Sequence, residues 1–353
     1  MLVDPSDFSL AQCSDEVLPQ LDPALGAHFM LETHQAVVEL ATSPHIGVSG
    51  AVAQVESLRR GLAKTLSEHD LLVASAGTHP FAQWHETEVS GHGRYKLVYE
   101  SMRELARREP TCALHVHVGV ADPEDAMRLM TRMRTHLPLL LALSSNSPFW
   151  QGRDTGLASA RTPVFQAFPR VGIPRPFASY ADWQDTVGLL VDCGAIPDPS
   201  FLWWDVRPQP SLGTIEIRIM DAQSKASDTA ALTALVQSLA RLELEEGLPA
   251  WPESWPEVLD ENRFVAARDG MAAELIDPIA RQRVPAEAIL EELSLAARPH
   301  AEDLGCADAL DHTADLAREN GAARQRRVAG GDEDLAPLVR ALTEAFLQTA
   351  AVG

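Results

Sequence analysis

The segment Thr214–Ile219 limits the possible folds more than any other stretch of the chain. Its isoleucines alternate strictly with Thr214, Glu216 and Arg218. Because successive side chains of a β-strand point to opposite faces of the sheet, this pattern predicts a strand with one apolar and one polar face. The polar face carries a carboxylate and a guanidinium, which indicates either a surface ion pair of little energetic value or the floor of a binding site.

The arrangement of the other strand-like segments limits the fold class. The predicted strands are Gln35–Thr42, Ala113–Val120, Phe201–Arg207 and Thr214–Met220. They do not follow a regular strand–helix–strand order, and the sequence has no glycine-rich phosphate loop. The pattern therefore predicts an α+β fold with a largely antiparallel sheet, and it argues against a doubly wound or P-loop fold.

Apolar residues at helical spacing predict three helices that face the core. The helix that follows Asp122 has a clear start signal, because Asp122 can cap it and is followed by Pro123 and two further acidic residues. The chain after Pro249 is predicted to be mostly helical and polar, and it ends in a helix over Asp334–Val352. The three apolar stripes are Ala51, Val55, Leu58, Leu62 and Leu66; Ala126, Leu129, Met130, Met133, Leu137, Leu140 and Leu141; and Leu232, Leu235, Val236, Leu239 and Leu242.

Size and charge narrow the classes of partner. With 353 residues, 46% of them hydrophobic, the chain is expected to form a single domain over residues 1–353. Its formal net charge of −21 repels phosphate backbones and anionic lipids, which argues against nucleic-acid and membrane partners. A chain this acidic must gather positive charge locally if it is to bind a phosphorylated substrate.

Cysteine spacing and apolar runs indicate a soluble, cytoplasmic protein. The four cysteines are far apart and include no CxxC pair, so they are expected to be reduced thiols. No N-terminal stretch has the form of a secretion signal. The longest apolar run, Leu137–Leu143, contains a proline and is too short to cross a bilayer.

One basic segment stands out in this acidic chain. Residues Ser144–Pro176 show no clear periodicity and contain Arg153, Arg161, Arg170 and Arg175 with one acidic residue. A loop of this length in a compact domain is usually functional or disordered. The segment is therefore either a phosphate-binding or substrate-covering loop, or a solvated connection whose arginines pair with acids elsewhere.

Two further predicted strands carry polar residues on one face. His115 and His117 alternate with aliphatic residues, and they could bind a metal or phosphate, or be one structural and one exposed histidine. Glu39 faces away from its aliphatic neighbours, and Glu32 lies upstream in a segment of undetermined structure. Carboxylates with an occasional imidazole suit Mg²⁺, and arginines with metal ions suit phosphoryl transfer from ATP.

Ten segments spread in order along nearly the whole chain have the form of family motifs: Thr33–Thr42, Ala76–Phe81, Arg94-Tyr95, Leu114–Gly119, Ser144–Trp150, Trp204–Pro208, Thr214–Asp221, Asn262-Arg263, Ala266–Arg268 and Asn320–Arg326. Together they resemble the motifs of the carboxylate–amine ligase family, whose members are often called glutamate–cysteine ligase type 2. The resemblance implies the fold of the glutamine synthetase and glutamate–cysteine ligase superfamily, in which a curved, mainly antiparallel sheet forms an active-site funnel with flanking helices.

The resemblance implies a role for each acidic and imidazole candidate. Glu39 and Glu216 would be metal ligands, with His115 as a further ligand or a phosphate contact. Glu32 falls where related ligases carry another acidic ligand. The family usually opens with a glutamate-rich strand that supplies further ligands, whereas this chain starts where that strand would end. The expectation is therefore either a start site assigned too late or a short form with impaired catalysis.

The resemblance also assigns the arginines. Arg207 and Arg218 would touch the phosphates or the substrate carboxylate, Arg161 would face the transferred phosphoryl group, and Arg153 would contact the nucleotide. The implied reaction uses ATP and Mg²⁺ to phosphorylate the γ-carboxylate of glutamate, and it then joins that group to the amine of cysteine or of another acceptor. A homodimer is also suggested by the family.

Three other functions fit the same residues. The chain could ligate a different amine or acid. It could be a metal-dependent hydrolase built on His115, His117, Glu39 and Glu216, which would not use ATP. It could also bind a nucleotide or metabolite without catalysis. The arginine-rich segment favours the functions that use ATP, because a metallohydrolase has less need of several guanidinium groups.

Overall fold

The computed structural model describes residues 1–90, 93–107, 110–248 and 255–349. Strands and α-helices are numbered in chain order within these ranges. The strands are β1 Leu2–Val3, β2 Phe29–Leu31, β3 Val38–Leu40, β4 Leu72–Val73, β5 Ala113–Gly119, β6 Phe149–Trp150, β7 Arg153–Asp154, β8 Val171–Gly172, β9 Trp203–Trp204, β10 Val206–Gln209, β11 Thr214–Asp221, β12 Glu274–Asp277 and β13 Gln282–Pro285.

The α-helices occupy more of the chain than the strands. Single turns of 3-10 helix lie at Leu18–Gln20, Trp84–Glu86, Pro199–Phe201 and Gly270–Ala272. The α-helices are α1 Ser14–Val17, α2 Pro23–Gly26, α3 Val48–Ser67, α4 Gly93–Met102, α5 Glu104–Arg107, α6 Pro123–Met133, α7 Leu137–Ser144, α8 Arg161–Phe165, α9 Tyr180–Asp192, α10 Ala226–Glu245, α11 Pro256–Asp269, α12 Ala286–Asp303, α13 Ala307–Asp311, α14 Thr313–Arg318, α15 Gly321–Ala329 and α16 Ala336–Phe346.

A three-stranded antiparallel sheet in the order β10–β11–β5 lies at the centre of the molecule. The other strands form two-stranded pairs, and all of those within the described ranges are antiparallel except β8–β9. Helices α6, α7 and α10 contact the central sheet. This arrangement confirms the predicted α+β fold with mainly antiparallel strands.

The apolar face of β11 belongs to the main core, as its alternation predicts. Ile215, Ile217 and Ile219 are each 1% exposed, and all residues of α7 are buried. The predicted stripes of α6–α7 and α10 are also buried. In α3 the buried face is rotated from the predicted one: Ala51 and Val55 are half-buried, while Val48 and Val52 are buried together with the last three predicted leucines.

Several predicted boundaries are wrong. The apolar stripe that begins at Ala126 spans two helices, because the ring nitrogen of Pro138 cannot donate to a carbonyl of the preceding turn. The strand predicted over Gln35–Thr42 is limited to β3, and a 3-10 turn that begins at Pro199 occupies the start of the strand predicted over Phe201–Arg207. The predicted boundary at Pro249 and residues 350–352 of the last predicted helix lie outside the described residues.

The segment Ser144–Pro176 is more ordered than its composition predicts. It contains β6, β7, α8 and β8, and its first residues are buried. Helix α15 holds it from the C-terminal side: Gln325 Nε2 donates to Asn146 O and to Asn146 Oδ1, both at 2.8 Å. At Gly321 a Cβ would lie 2.1 Å from Asn146 Oδ1, so this close packing requires a glycine. Order here comes from distant parts of the chain.

His79 illustrates how burial fixes a neutral histidine outside the central sheet. Its Nδ1 accepts a hydrogen bond from Ala82 N at 3.0 Å, and its Nε2 therefore donates to Phe8 O, also at 3.0 Å. The side chain is almost fully buried, and burial lowers the pKa of His79 to about 4.

No helix among the described residues is long and apolar enough to cross a membrane.

We expect His79 to make the folded state sensitive to mild acid. An unfolded histidine, with its pKa of 6.5, binds a proton at a higher pH than the folded one, so the free energy of unfolding falls as pH drops from 6.5 towards 4. The loss should reach roughly 3 kcal/mol near pH 4. Urea unfolding from about pH 7 to pH 4 should show a shallower decline for His79→Gln. Equal declines for the two proteins would contradict this expectation.

Candidate active site

The candidate site is built around Glu216, on the polar face of β11. In the antiparallel registers Glu216 lies opposite Arg207 of β10 on one side and His117 of β5 on the other. Its Oε2 accepts hydrogen bonds from Arg207 Nε at 2.8 Å and from Gln209 Nε2 at 2.9 Å. Its Oε1 accepts a hydrogen bond from Arg218. Two guanidinium groups thus hold a carboxylate that is 2% exposed.

The two histidines lie on the same face, as their alternation predicts. His115 Nδ1 lies 3.5 Å from Glu216 Oε1, and His117 Nε2 lies 3.6 Å from the same atom. His117 Nδ1 is 2.9 Å from Thr214 Oγ1. The two imidazole side chains are 28% and 35% exposed, so the polar face opens towards solvent beside Glu216.

Electrostatics give this face an excess of positive charge. Burial alone would raise the pKa of Glu216, but the charges of Arg218 and Arg207 hold that pKa well below its usual range. Burial and the charge of Arg218 lower the pKa of His115 well below its ordinary value, and burial also lowers the pKa of His117. Both imidazoles are therefore neutral at neutral pH. Two guanidinium charges face one carboxylate charge, an arrangement that favours an anionic ligand.

A β-bulge interrupts β11 beside these residues. The register against β5 shifts between Ile217 and Met220, so that Arg218 and Ile219 together face the single residue His115. A bulge of this kind bends the strand and changes the direction of its side chains. Here it lies at the residue whose guanidinium bonds the central carboxylate.

Because of the bulge, Asp221 lies on the same face as Glu216. Glu216 is paired with His117 and Asp221 with Ala113, and these two partners share one face of β5. The Asp221 carboxylate is completely buried and accepts hydrogen bonds from Asn146 N at 2.8 Å, from Ser147 Oγ at 2.7 Å and from Ser159 Oγ at 2.9 Å. It thereby ties the segment Ser144–Pro176 to the central sheet.

Arg161 lies between this buried carboxylate and the bulge. Its Nη1 donates to Ile219 O at 3.0 Å and its Nη2 to Arg218 O at 3.2 Å. The same Nη1 is 3.6 Å from Asp221 Oδ1. The residue is 7% exposed. The guanidinium of Arg161 therefore contacts the backbone of β11 and the carboxylate of Asp221.

The other arginines of the basic segment lie in different surroundings. Arg175 forms an exposed ion pair with Asp182, and Arg170 Nε donates to Phe201 O at 3.1 Å. Arg153 is exposed on β7 and lines a pocket of about 370 Å³. Arg175 therefore behaves as expected for a solvated connection, because it pairs with an acidic residue outside the segment Ser144–Pro176. Contact of Arg153 with a nucleotide stays a prediction.

The two upstream glutamates lie on or beside the β2–β3 hairpin. Glu39 is half-buried on β3. Glu32 directly follows β2; its Oε2 accepts a hydrogen bond from Thr33 N at 2.7 Å and its carbonyl one from Ser90 Oγ at 2.6 Å. Burial raises the pKa of the Cys112 thiol, and the charge of Glu32 adds to that shift. Glu32 is thus within electrostatic range of the residue that precedes β5.

The predicted metal ligands can be compared with this geometry. Among the described residues, no group of three or more His, Cys, Asp or Glu side chains is arranged to hold a metal ion. Mg²⁺, however, is usually bound by one or two carboxylates together with water and substrate phosphates. The proposed carboxylate ligands are of the chemical type that such a magnesium ion uses, and within the described residues they do not form a site made only of protein. The ligand set Glu39, Glu216, His115 and Glu32 stays a prediction.

The fold is shared with solved ligase structures. The structure of glutamate–cysteine ligase from Francisella tularensis in complex with AMP matches with a TM-score of 0.70, covering 99% of this chain and 88% of that chain at 12% identity. A bifunctional glutathione synthetase from Pasteurella multocida matches with a TM-score of 0.64, covering 90% of this chain and 48% of that chain, also at 12% identity. At such low identity these likenesses establish the fold alone, and they confirm the predicted fold class.

Sequence comparison gives the family. The chain belongs to glutamate–cysteine ligase family 2, whose model matches residues 2–341. A Rubrobacter xylanophilus protein that bears the name glutamate–cysteine ligase 2-1 is 38% identical over 345 residues, and the match covers 97% of this chain and 92% of that protein. A Jannaschia protein that bears the name glutamate–cysteine ligase 2 is 35% identical over an alignment of 356 positions, which covers 99% of this chain and 94% of that protein. The predicted family is confirmed.

The sequence did not single out several residues of the site. Gln209, which bonds Glu216, lies just beyond the predicted strand. Asp221, Ser147 and Asn146 lie inside motifs on which the family resemblance rests, yet no local pattern connects Asp221 to the other two. The one available signal was a carboxylate at the end of an apolar strand, since a buried charge needs partners.

Proposed function

We propose that this protein is an ATP-dependent carboxylate–amine ligase. It would phosphorylate the γ-carboxylate of glutamate and join the resulting acyl group to the amine of cysteine or of another acceptor. The observation that carries the proposal is the polar sheet face in which Glu216 is held by Arg207 and Arg218, within a chain of glutamate–cysteine ligase family 2. The excess of guanidinium charge favours ATP chemistry over a metal-dependent hydrolase.

The proposed reaction has two steps. A carboxylate oxygen of the acid attacks the γ-phosphorus of ATP, the bond to the β-phosphate oxygen breaks, and ADP leaves. The amine then attacks the carbonyl carbon of the acyl phosphate, and inorganic phosphate leaves as the amine loses a proton to solvent. Both steps spread negative charge over phosphate oxygens, so catalysis depends mainly on positioning and charge neutralisation.

The side chains of the polar face suit these demands. Arg207 and Arg218 would neutralise phosphate oxygens or the substrate carboxylate, and Glu216 fixes the direction of both guanidinium groups. His115, neutral and partly exposed, can donate one hydrogen bond to a carboxylate or phosphate oxygen of a substrate. Contact of Arg161 with the transferred phosphoryl group would have to be made by guanidinium donors other than the two that bond backbone carbonyls of β11.

Magnesium fits this site as a companion of the nucleotide. Glu216 and Glu39 are the carboxylates proposed to hold it, with Glu32 and His115 as further candidates. When bound, Mg²⁺ would neutralise charge on the phosphates and orient them. The AMP bound to the Francisella tularensis enzyme supports a nucleotide site in this fold. Glutamate and cysteine as substrates rest on the names of the relatives, and a homodimer is proposed from the family alone.

The proposal is tested by substrate-dependent release of ADP. The purified chain is incubated with Mg-ATP, glutamate and one amine from a panel that includes cysteine, and the products are identified by mass spectrometry. We expect ADP release that requires both the acid and one of the amines, together with the matching amide. Aspartate in place of glutamate tests the choice of acid. If no amine stimulates ADP release and no amide forms, the ligase proposal is wrong.

A further inference from the structure

The bulge in β11 creates a local need for hydrogen-bond donors. In a regular ladder the carbonyls of Arg218 and Ile219 would be paired with neighbouring strands, but a bulge disrupts the ladder at these residues. Buried backbone carbonyls without partners are costly, so another group must satisfy them. Arg161 donates to both, through Nη1 and Nη2 of one planar guanidinium. No shorter side chain could hold two carbonyls in this fixed fork.

The surroundings of Arg161 hold its guanidinium in place. Asp221 lies 3.6 Å away and supplies the opposite charge, while the ring of Phe165 lies 5.8 Å from the guanidinium carbon. Asp221 is itself held by donors from the segment Ser144–Pro176. The charge of Arg161 is therefore balanced within the protein, and two of its guanidinium donors are used by the backbone.

We infer that Arg161 is a positioning residue: by holding both carbonyls of the bulge, it fixes the direction in which Arg218 leaves β11 and so places the Arg218 guanidinium against Glu216. The inference rests on the proposed function only for its kinetic consequence. Its structural content is the link from Arg161, through the backbone, to the Arg218–Glu216 pair. The alternative from family resemblance is direct contact of Arg161 with the transferred phosphoryl group.

A double-mutant cycle separates these two roles. If Arg161 acts through Arg218, we expect Arg161→Lys alone to lower kcat about 100-fold, since a displacement of about 1 Å in a catalytic group costs that much. When Arg218 is already replaced by lysine, adding Arg161→Lys should lower kcat by less than about 3-fold further, because the group that Arg161 positions is already altered. Direct phosphate contact predicts instead that the two losses multiply and that the KM for ATP rises. Multiplying losses would overturn the inference.

Arg59 offers a matched control. It is also a buried arginine that donates to backbone carbonyls, those of Ser224 and Gln223 at 2.8 Å and that of Phe346 at 3.5 Å, but these lie beyond the end of β11 rather than at the bulge. Arg59→Lys should lower the melting temperature as Arg161→Lys does, yet its effect on kcat should be small and independent of Arg218. Coupling of Arg59 to Arg218 as strong as that of Arg161 would show only general destabilisation and would overturn the inference.

A structural measurement keeps the inference separate from the proposed function. Crystal structures of the wild type, Arg161→Lys and Arg59→Lys need no substrate. We expect the Arg218 guanidinium to leave Glu216 in Arg161→Lys alone, with the central sheet otherwise intact. An unchanged Arg218–Glu216 pair would overturn the inference, whereas absence of turnover in the wild type would overturn only the proposed function. Arg161→Gln, which keeps a donor for one carbonyl, serves as a second variant if Arg161→Lys does not fold.

Discussion

Replacing Glu216 with glutamine should lower the rate of amine-dependent ADP release by about 1,000-fold, because a preorganised electrostatic contact at the reacting groups is lost. The carboxylate holds Arg207 and Arg218 by separate oxygens, and the glutamine amide can accept from only one of them. Both guanidinium groups would then be free to take other directions. The measurement is steady-state kinetics with the amine identified from the panel.

The control for this substitution is Glu243, a second buried glutamate in a charged cluster. Glu243, on α10, accepts a hydrogen bond from Arg132 at 3.0 Å, and its Oε1 lies 2.6 Å from His136 Nε2. This cluster joins α10 to the corner between α6 and α7. Glu243→Gln should destabilise the protein to a similar extent as Glu216→Gln, while kcat changes by less than about 3-fold. A comparable fall in kcat for both variants would mean that stability, rather than the site, explains the loss.

Replacing Asp221 with alanine should lower the free energy of unfolding by about 3 to 5 kcal/mol, the usual cost of breaking a buried ion pair on one side. Arg161, which is only 7% exposed, would keep its charge but lose the carboxylate that balances it. Asn146 N, Ser147 Oγ and Ser159 Oγ would each lose a hydrogen-bond acceptor. Urea unfolding, followed by circular dichroism, measures the difference.

Two further variants define what the loss at Asp221 means. Asp221→Asn keeps an acceptor oxygen but not the charge, so it should lose stability to a smaller extent than the alanine variant. Asp182→Ala removes an exposed partner of Arg175, and surface pairs of this kind contribute little, so no clear change is expected. A loss below about 1 kcal/mol for Asp221→Ala would refute the view that its charge is needed against Arg161.

Alternation along single strands allowed much of this site to be predicted from the sequence. The pattern of Thr214–Ile219 correctly separated the core-facing Ile215 and Ile217 from Glu216 and Arg218, and that of β5 correctly placed His115 and His117 on one face. The antiparallel α+β fold also followed from the order of the elements. These features depend on short-range geometry, which a strand repeats every two residues.

The rest of the site depends on long-range contacts that no local pattern encodes. Asp221 is five residues after Glu216, so strict alternation would place its side chain on the core face of β11. The bulge shifts the alternation by one residue and places Asp221 on the same face as Glu216. Likewise, Ser144–Pro176 has the composition of a loop, and its order comes from Asp221 and from α15. The family resemblance located these segments but not the contacts between them.

The contact of Gln325 with Asn146 has a consequence for how the protein is made. The two residues are 179 positions apart. At the usual pace of synthesis, about 5 to 20 residues per second, Gln325 is added roughly 10 to 40 seconds after Asn146. During that interval the central sheet can form, but the segment that holds Asp221 lacks its support from α15. The candidate site, which includes Asp221 and its partners in Ser144–Pro176, is therefore complete only after the C-terminal helices have been synthesised.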